Sequence, residues 1–426
     1  MRKSNEKRVK RLERVKPTDL IVGIDIGSKF HAVVFQDFRG VALNSFDKIY
    51  NNRRGFEYLV REIERSLKAN KLEVVQIGFE PTGHYWKNII YYLSKLGYNI
   101  RFVRTTAVKS QRELDDSSSS KTDVDDANSI ASLVREGKYI DSKIQEGVYR
   151  DLRDIGKLRA KVMKMKTSMV CRLRMLMEVY FPEVIDSFWA IDSVGFWRLV
   201  KTAPLPEDVL KLGEIGLRKL LSVSGVRKEK LDKQMRAIWD SSQNSIGLEA
   251  TEFNKYNIRN CIENLEMYHK QLLEIKKSME KLLERTEYWN LMKSIPGVGV
   301  VTAATFLGEL GDPKTFNNAK EIIKFAGIDP KENSSGQHKS KLKLSKKGRY
   351  LMRTMVYFIC LRLIHRSENF KVYYHRKLET KNIRGRSLEK KEAIFAVGVK
   401  FIKVLFAMFR DKAEYCSLKK EYSLAA

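Results

Sequence analysis

The stretch DLIVGIDIG, residues 19–27, decides the fold of the N-terminal part of this chain. Its run of Leu, Ile and Val is typical of a buried strand, and Gly27 ends the run. Two more segments rich in Val and Phe follow at 29–36 and 41–46, with Gly40 at the break between them. Three consecutive strands with short connections predict an antiparallel meander.

Helix and strand patterns alternate after this meander. In order, they are the helix GFEYLVREIERSL, the buried strand EVVQIGFE, the helix YWKNIIYYLSKLG, the strand YNIRFVR and the helix VDDANSIASLVREG. Three strands followed by β-α-β-α units predict an RNase H-like α/β fold, in which helices flank a mixed sheet. We expect this domain to span residues 18–145, after a basic leader at 1–17.

Two carboxylates lie at predicted strand ends. Asp25 ends the first strand, and Glu80 ends the fourth, where Pro81 stops the strand. The first and fourth strands are neighbours in an RNase H-like sheet, so the two side chains are expected to meet. A carboxylate buried at such a position is unfavourable unless it has a partner such as a metal ion.

The motif KTDVDDA, residues 121–127, adds acidic residues at the start of a predicted helix. Asp123 and Asp126 are three residues apart and therefore share a helix face. Asp125 points away from that face, and we expect it to cap the helix or to face solvent. Each acidic residue taken alone is at least as well explained by a structural role, and only the set favours catalysis.

Four convergent carboxylates make a hard oxygen site that prefers Mg²⁺ or Mn²⁺. Two such ions can activate a water or hydroxyl and stabilise the leaving oxygen of a phosphodiester. GIDIGSK is also similar to the first phosphate loop of actin-like sugar kinases and chaperone ATPases. Those proteins need a second strand turn of the DxG type and a Gly-Gly adenosine motif, and the sequence contains neither.

The net charge of +29 and the pI of about 9.8 indicate a polyanionic partner. Nucleic acid is favoured over a membrane surface because no run approaches the length of apolar residues that spans a bilayer. The four cysteines are scattered without a C-x-x-C pair, which argues against a zinc knuckle or a disulfide framework. With a basic N-terminus that lacks an apolar stretch, the sequence predicts a cytoplasmic protein.

Two long helices with a three-four spacing of apolar residues are expected in a helical region at 146–290. They favour an antiparallel hairpin or an intermolecular coiled coil, and a small helical insertion of unknown role lies between them at about 181–250. A mainly α C-terminal domain is expected at 291–426. Its Pro-Gly-x-Gly turn resembles a helix-hairpin-helix motif, so the backbone amides of Gly297 and Gly299 are expected to bind a phosphate. A plain packing corner explains that turn about as well.

The basic segment KSKLKLSKKGR follows in the same domain, at residues 339–349. We expect its cationic side chains to contact nucleic-acid backbone, namely Lys339, Lys341, Lys343, Lys346, Lys347 and Arg349.

The motifs GIDIGSKFHAV, FEPTG, KTDVDDA, IPGVGVVTAATFLGELGD, FAGIDP, SSG and KKGRYLMR occur in one order and cover most of the chain. In that order they resemble the DEDD-type insertion-sequence transposases, relatives of the Piv invertases. Members of that family join a RuvC-like domain to a C-terminal serine-bearing transposase domain. The resemblance implies that the family's acidic set falls on Asp25, Glu80, Asp123 and Asp126, with Asp125 outside it.

The resemblance also implies a nucleophilic serine in an S-G turn shortly after the A-G-x-x-P motif. AGIDPKENSSG offers Ser334 and Ser335, and we choose Ser335 because it directly precedes the glycine. Chemistry alone does not separate the two. An isolated hydroxyl is a poor nucleophile and needs activation, which a metal-bound carboxylate cluster could supply.

The resemblance further implies an RNA-guided recombinase that uses a structured bridge RNA pairing with both donor and target DNA. Because strand exchange needs at least two active sites, we expect a homo-oligomer, a dimer or a tetramer in the synaptic complex. Two other hypotheses stay open: a RuvC-like metal-dependent nuclease that cuts branched DNA without a serine step, and a non-catalytic RNA-binding protein.

Overall fold

The computed structural model describes most of the chain. The described residues are 9, 11–81, 83–115, 122–140, 145–222, 227–331, 334–335, 338–339, 343–345, 347–379 and 387–416. The chain divides into two compact units, residues 1–144 and 145–426. The first is a mixed α/β unit, and the second is mostly helical.

The first unit contains the predicted strands and helices in the predicted order. Its elements are β1 (Asp19–Asp25), β2 (Phe30–Gln36), β3 (Ala42–Tyr50), α1 (Arg53–Ala69), β4 (Val74–Phe79), α2 (Trp86–Lys95), β5 (Asn99–Phe102), α3 (Thr105–Asp115) and α4 (Asp123–Arg135). Helix α3 was not predicted from the sequence, because TTAVKSQRELD has too few apolar residues to show a helical period.

The five strands form one mixed sheet in the order β3-β2-β1-β4-β5. The pairs β1–β2 and β2–β3 are antiparallel, which confirms the meander. The pairs β1–β4 and β4–β5 are parallel. The first and fourth strands are therefore neighbours, as predicted, and their carboxyl ends reach the same edge of the sheet.

Helices cover both faces of this sheet. Alternate residues of β1 point in opposite directions, so Leu20, Val22 and Ile24 share a core with α1 and α2. Ile21 lies in a second core with α4. Because residues 20–24 of β1 are completely or almost completely buried, the end of this strand is held firmly against both layers.

The second unit is built mainly from helices. Its elements are α5 (Gly147–Tyr180), a 3₁₀ turn (Pro182–Ile185), α6 (Val194–Thr202), α7 (Pro206–Leu221), α8 (Lys228–Gln243), α9 (Glu252–Glu284), α10 (Trp289–Lys293), α11 (Val300–Leu310), a second 3₁₀ turn (Pro313–Thr315), α12 (Ala319–Ala326), β6 (Pro330–Lys331), β7 (Ser334–Ser335), β8 (His338–Lys339), β9 (Lys343–Leu344), α13 (Tyr350–Arg366), α14 (Glu368–Glu379) and α15 (Lys390–Asp411).

The two predicted long helices, α5 and α9, pack as an antiparallel pair within the chain. The N-terminal half of α5 shares a core with the C-terminal half of α9 and with α11, α13 and α15. The other halves share a separate core with α6, α7 and α8, which form the predicted helical insertion. At the surface of the pair, Arg172 of α5 donates a hydrogen bond to the Asn257 side chain of α9 at 2.8 Å. Within the ranges described, no helix is long and apolar enough to cross a bilayer.

Candidate functional site

Asp25 and Glu80 lie at the same edge of the sheet. Asp25 is the last residue of β1, and Glu80 directly follows β4. The two strands are parallel with Ile24 opposite Phe79, so the next residue of each strand reaches the same edge. Both residues are half-buried. The structure thus brings the first two predicted site residues to neighbouring backbone positions.

A pair of glycines allows α4 to lie close to this edge. Gly23 and Gly78 are opposite each other on β1 and β4. A Cβ at Gly23 would come 2.0 Å from the carbonyl oxygen of Ala127, and one at Gly78 would come 2.4 Å from Cγ2 of Val134. Only glycine permits this approach. Asp25 follows Gly23 by two residues and therefore points to the face that the helix covers.

The first turn of α4 starts beside Asp25. Asp25 is opposite Ala32 of β2, and opposite residues of an antiparallel pair share a face. Ala32 belongs to a small apolar cluster with Ala127, against which Val124 packs. The N-terminus of α4 is therefore anchored where β1 ends, which positions the helix aspartates near Asp25.

The three aspartates of α4 have different environments. Asp126 is buried, with 8% of its surface exposed, whereas Asp123 and Asp125 are exposed. The carboxylate of Asp125 accepts a bond from the Thr122 amide at 3.1 Å, and the Asp125 amide donates to the Thr122 hydroxyl at 3.2 Å. This reciprocal pair is a capping box, so Asp125 has the capping position that the sequence predicted.

Arg112 of α3 is a residue of this site that sequence reasoning missed. Its guanidinium donates to Oδ1 of Asp126 at 2.8 Å, and both side chains are largely buried. A charge-assisted bond of this length is among the stronger polar contacts of a protein. In the sequence, the only sign of this contact is that Arg112 lies shortly before KTDVDDA. No apolar pattern marked α3 as a helix that would bring Arg112 to Asp126.

The donor chemistry of this edge suits Mg²⁺ or Mn²⁺, because carboxylate oxygens are the ligands that these ions prefer. Over the described ranges, however, no three His, Cys, Asp or Glu side chains converge closely enough to hold a metal ion. Asp126 is engaged by Arg112 instead. The residues fit a divalent cation by type and by strand position, provided that Asp126 exchanges the guanidinium for the ion.

In the second unit, the Pro-Gly-x-Gly turn connects α10 to α11. Gly297 has a φ of 85°, and its carbonyl oxygen accepts a bond from Arg362 at 3.3 Å. Gly299 caps α11, and its amide donates to the hydroxyl of Thr302 at 3.0 Å. One of the two amides expected to bind a phosphate is thus already engaged within the helix cap.

Ser334 and Ser335 form β7, which pairs with β8 so that Ser335 is opposite His338. Lys341 and Lys346, which were predicted to contact nucleic-acid backbone, lie outside the described residues. Lys339 is part of β8 and Lys343 of β9, and Lys347 is exposed.

Arg349, the last residue of the basic segment, is half-buried rather than extended into solvent. Its guanidinium lies over the Phe325 ring at 5.1 Å and 3.4 Å from the carboxylate of Glu309. Burial raises the pKa of Glu309, although the charge of Arg153 opposes that shift. A role of Arg349 in binding nucleic acid stays a prediction.

Two family models match the chain. The model of the DEDD transposases of the IS110 type matches residues 22–182. The model of the IS116/IS110/IS902 transposase family matches residues 290–375. The chain carries both transposase domains. The DEDD transposase domain includes all four predicted acidic positions, and the IS116/IS110/IS902 domain includes Gly297, Gly299 and Ser335.

Several known proteins are similar to the chain over part of their length. The chain is 28% identical over 152 residues to an uncharacterized protein of insertion element IS110 from Streptomyces coelicolor, covering 36% of each chain. It is 29% identical over 83 residues to the transposase for insertion sequence element IS1111A from Coxiella burnetii, covering 20% of this chain and 23% of that protein.

The pilin gene-inverting protein of Moraxella bovis is 26% identical over 123 residues, covering 29% of this chain and 36% of that protein. The matched segments therefore span between 23% and 36% of these relatives' own lengths.

Proposed function

We propose that this protein is the transposase of an IS110-type mobile element and recombines DNA by cutting and rejoining strands. The observation that carries the proposal is the meeting of Asp25, Glu80 and the start of α4 at one sheet edge, held there by Gly23 and Gly78. The strand order β3-β2-β1-β4-β5 supports a RuvC-like fold for this unit. Both matched domains support the transposase assignment.

Asp25, Glu80, Asp123 and Asp126 are the residues that would hold Mg²⁺ or Mn²⁺. When bound, the ion supplies Lewis-acid stabilisation of charge at a phosphodiester. The side chains have to bring their carboxylates together, and Asp126 has to leave Arg112. Asp125 stays with Thr122 in the helix cap.

Ser335 is the nucleophile of the proposed reaction. Its Oγ attacks the scissile phosphorus, a phosphoserine bond forms, and the bond from phosphorus to the leaving sugar oxygen breaks. The serine loses its proton, and the sugar oxygen gains one. A free sugar hydroxyl of the recombining strand then attacks the phosphoserine and restores Ser335. This role rests on the family resemblance of the S-G turn; the backbone of Ser335 pairs with that of His338.

The partners we propose are donor and target DNA, together with a structured guide RNA that pairs with both. The net charge of +29 supports binding of polyanions. The guide RNA rests on the family resemblance, and sequencing of RNA that copurifies with the protein tests it. A preparation that contains no discrete RNA with loops complementary to DNA would rule the guide out.

We also propose that the protein acts as a homo-oligomer, with the α5–α9 pair as the contact region. Leu158, Met165 and Val179 of α5 are 40 to 50% exposed and are separated by multiples of seven residues. A seven-residue apolar repeat is the spacing that coiled coils use between chains. Sedimentation of the full chain in the presence and absence of DNA tests the state of association.

A covalent-adduct assay tests the proposed reaction. Incubation with labelled DNA and denaturing electrophoresis should show an adduct for wild type and for the matched control Ser334→Ala. Ser335→Ala should show none. An adduct that persists in Ser335→Ala would disprove the serine assignment, whereas its loss only in Ser334→Ala would move the nucleophile by one residue.

A second candidate is a metal-dependent nuclease without a serine step. The fact that all four carboxylates belong to the first unit favours it, since hydrolysis by such a site needs no residue of the second. It predicts that Ser335→Ala still cleaves branched DNA and that Asp25→Ala does not. A non-catalytic RNA-binding protein would tolerate replacement of all four carboxylates.

A further inference from the structure

Helices α14 and α15 bring three cationic groups to one aromatic ring, that of Tyr373. The Lys400 ammonium of α15 lies 4.5 Å from the ring centroid. The Arg376 guanidinium lies at 5.4 Å and the Lys377 ammonium at 5.5 Å, both on α14. Positions three and four residues after Tyr373 fall on the same helix face. We refer to these four residues as the Tyr373 cluster.

Lys400 is in an environment that is unfavourable for a charged ammonium group. It is half-buried and also lies over the Phe370 ring at 5.6 Å. Burial, and then the like charge of Arg376, lower the pKa of Lys400. The attraction between the rings and the cations is modest and offsets only part of the repulsion among the cations. Positive charge is therefore concentrated at this point of the surface.

Among the residues that the structure describes, the lysines of the Tyr373 cluster, Lys377 and Lys400, form no ion pair within 4.0 Å that would balance this charge. The carboxylate of Glu368, at the start of α14, lies 3.9 Å from Lys371 instead. An anion from outside the protein would therefore relieve the repulsion within the cluster.

We propose that the Tyr373 cluster binds the phosphodiester backbone of DNA. The choice of DNA as the polyanion rests on the proposed function. The backbone rather than the bases is the target, because cations already lie over the Tyr373 ring and a stacked base would displace them. Neither the Pro-Gly-x-Gly turn nor the basic segment at 339–349 includes these residues.

The salt dependence of DNA binding tests the cluster directly. Each phosphate contact contributes about 0.9 to the slope of log affinity against log salt concentration. The full-length Lys377→Gln/Lys400→Gln variant should therefore lose about 1.8 from that slope. Between about 50 and 200 mM salt, its affinity should fall roughly 12-fold less than that of wild type. Fluorescence anisotropy with labelled duplexes of unrelated sequence should give the same reduction for each.

Two controls separate this effect from a general loss of charge or of fold. Lys95→Gln removes an exposed lysine that lies alone over the Tyr91 ring at 4.7 Å, and its slope should equal that of wild type. Lys377→Arg/Lys400→Arg keeps both charges and should retain the slope. Circular dichroism of all variants checks that the helices are intact.

Three results would overturn the proposal: an unchanged slope in the double glutamine variant, an equal reduction in Lys95→Gln, or a reduction seen with RNA of the same length but not with DNA. Failure of the proposed recombination is separable, because Ser335→Ala should keep the full salt slope while losing the covalent adduct. A wild-type protein without adduct formation but with the expected slopes would contradict the serine chemistry and leave the DNA site standing.

Discussion

Asp126 and Glu309 are buried carboxylates, one in each unit, and each lies beside an arginine. They differ in their position along the helix and in the distance to the arginine. Asp126 lies in the first turn of α4, 2.8 Å from the guanidinium of Arg112. Glu309 lies in the last turn of α11, 3.4 Å from Arg349 and 3.8 Å from Arg153. The first pair is short and lies at the sheet edge with other acids, and the second is longer and enclosed.

The positions of the two acids on their helices explain the difference. The N-terminus of a helix stabilises negative charge, and its C-terminus does not. Asp126 therefore has support for its charge besides Arg112 and can accept another cation in place of the guanidinium. Burial raises the pKa of Glu309. Its contacts with Arg153 and Arg349 hold the three side chains in place within the second unit. The contrast is consistent with the proposed metal-binding role of Asp126 and with a structural role for Glu309.

Replacement of Asp126 should have the largest effect. Asp126→Asn removes a proposed metal ligand, so DNA cleavage should fall to background. Asp125→Asn is the matched control on the same helix turn, and it should cleave DNA normally while losing about 0.5 kcal/mol of stability with its cap. Plasmid cleavage and thermal unfolding measure both effects. Equal damage from the two changes would mean that the helix face has been assigned incorrectly.

This contrast between Asp125 and Asp126 was predictable from sequence because it depends only on helical spacing. The order of strands and helices in the first unit was predictable for the same reason, since each element carries its own apolar period. The role of Gly23 and Gly78 was not, because it depends on the register of β1 against β4. Local sequence does not fix the register between strands that are distant in the chain.

Contacts between segments that are distant in the chain also explain why the partners of two arginines could not be predicted from the sequence. Arg112 lies on α3, whose few apolar residues gave no helical signal. Arg349 belongs to a run of basic residues, and its sequence neighbours suggested exposure. Its partner Glu309 is forty positions upstream, and only the folded chain brings Phe325 beneath the guanidinium.

Gly23→Ala should have the second largest effect and tests how Asp126 is positioned. The new Cβ would lie 2.0 Å from a backbone oxygen of α4 that cannot rotate away. The helix should shift, and the protein should lose about 3 kcal/mol of stability. DNA cleavage should be lost as well. Denaturant unfolding and plasmid cleavage measure the two losses.

The control is Gly195→Ala in helix α6, where the new Cβ meets a phenylalanine ring carbon at an ordinary 3.5 Å. That change should stabilise the protein by about 0.5 kcal/mol. Normal stability of Gly23→Ala would show that the close approach of α4 to the sheet is not required.

Arg112→Gln should show that the cation at Asp126 is exchangeable. Removing the ion pair from this buried carboxylate should lower stability by about 2 kcal/mol in the absence of metal. Because an ion no longer has to displace the guanidinium, Mg²⁺ or Mn²⁺ should raise the melting temperature more in the variant than in wild type. Arg349→Gln, at the other acid, should also lose stability but should not respond to metal. A metal response at both sites would remove the distinction between them.

Glu309→Gln should have the smallest effect, and its sign depends on pH. The pKa of Glu309 is raised in the folded protein, so the stability that this group contributes is present below its unfolded pKa and is lost as the pH rises through its folded value. Glutamine does not titrate, so unfolding free energies should shift in favour of the variant as the pH increases and then level off. DNA cleavage should persist throughout. A shift in favour of wild type with rising pH would mean that Arg153 and Arg349 stabilise the carboxylate more than burial disfavours it, and Glu309 would then resemble Asp126 after all.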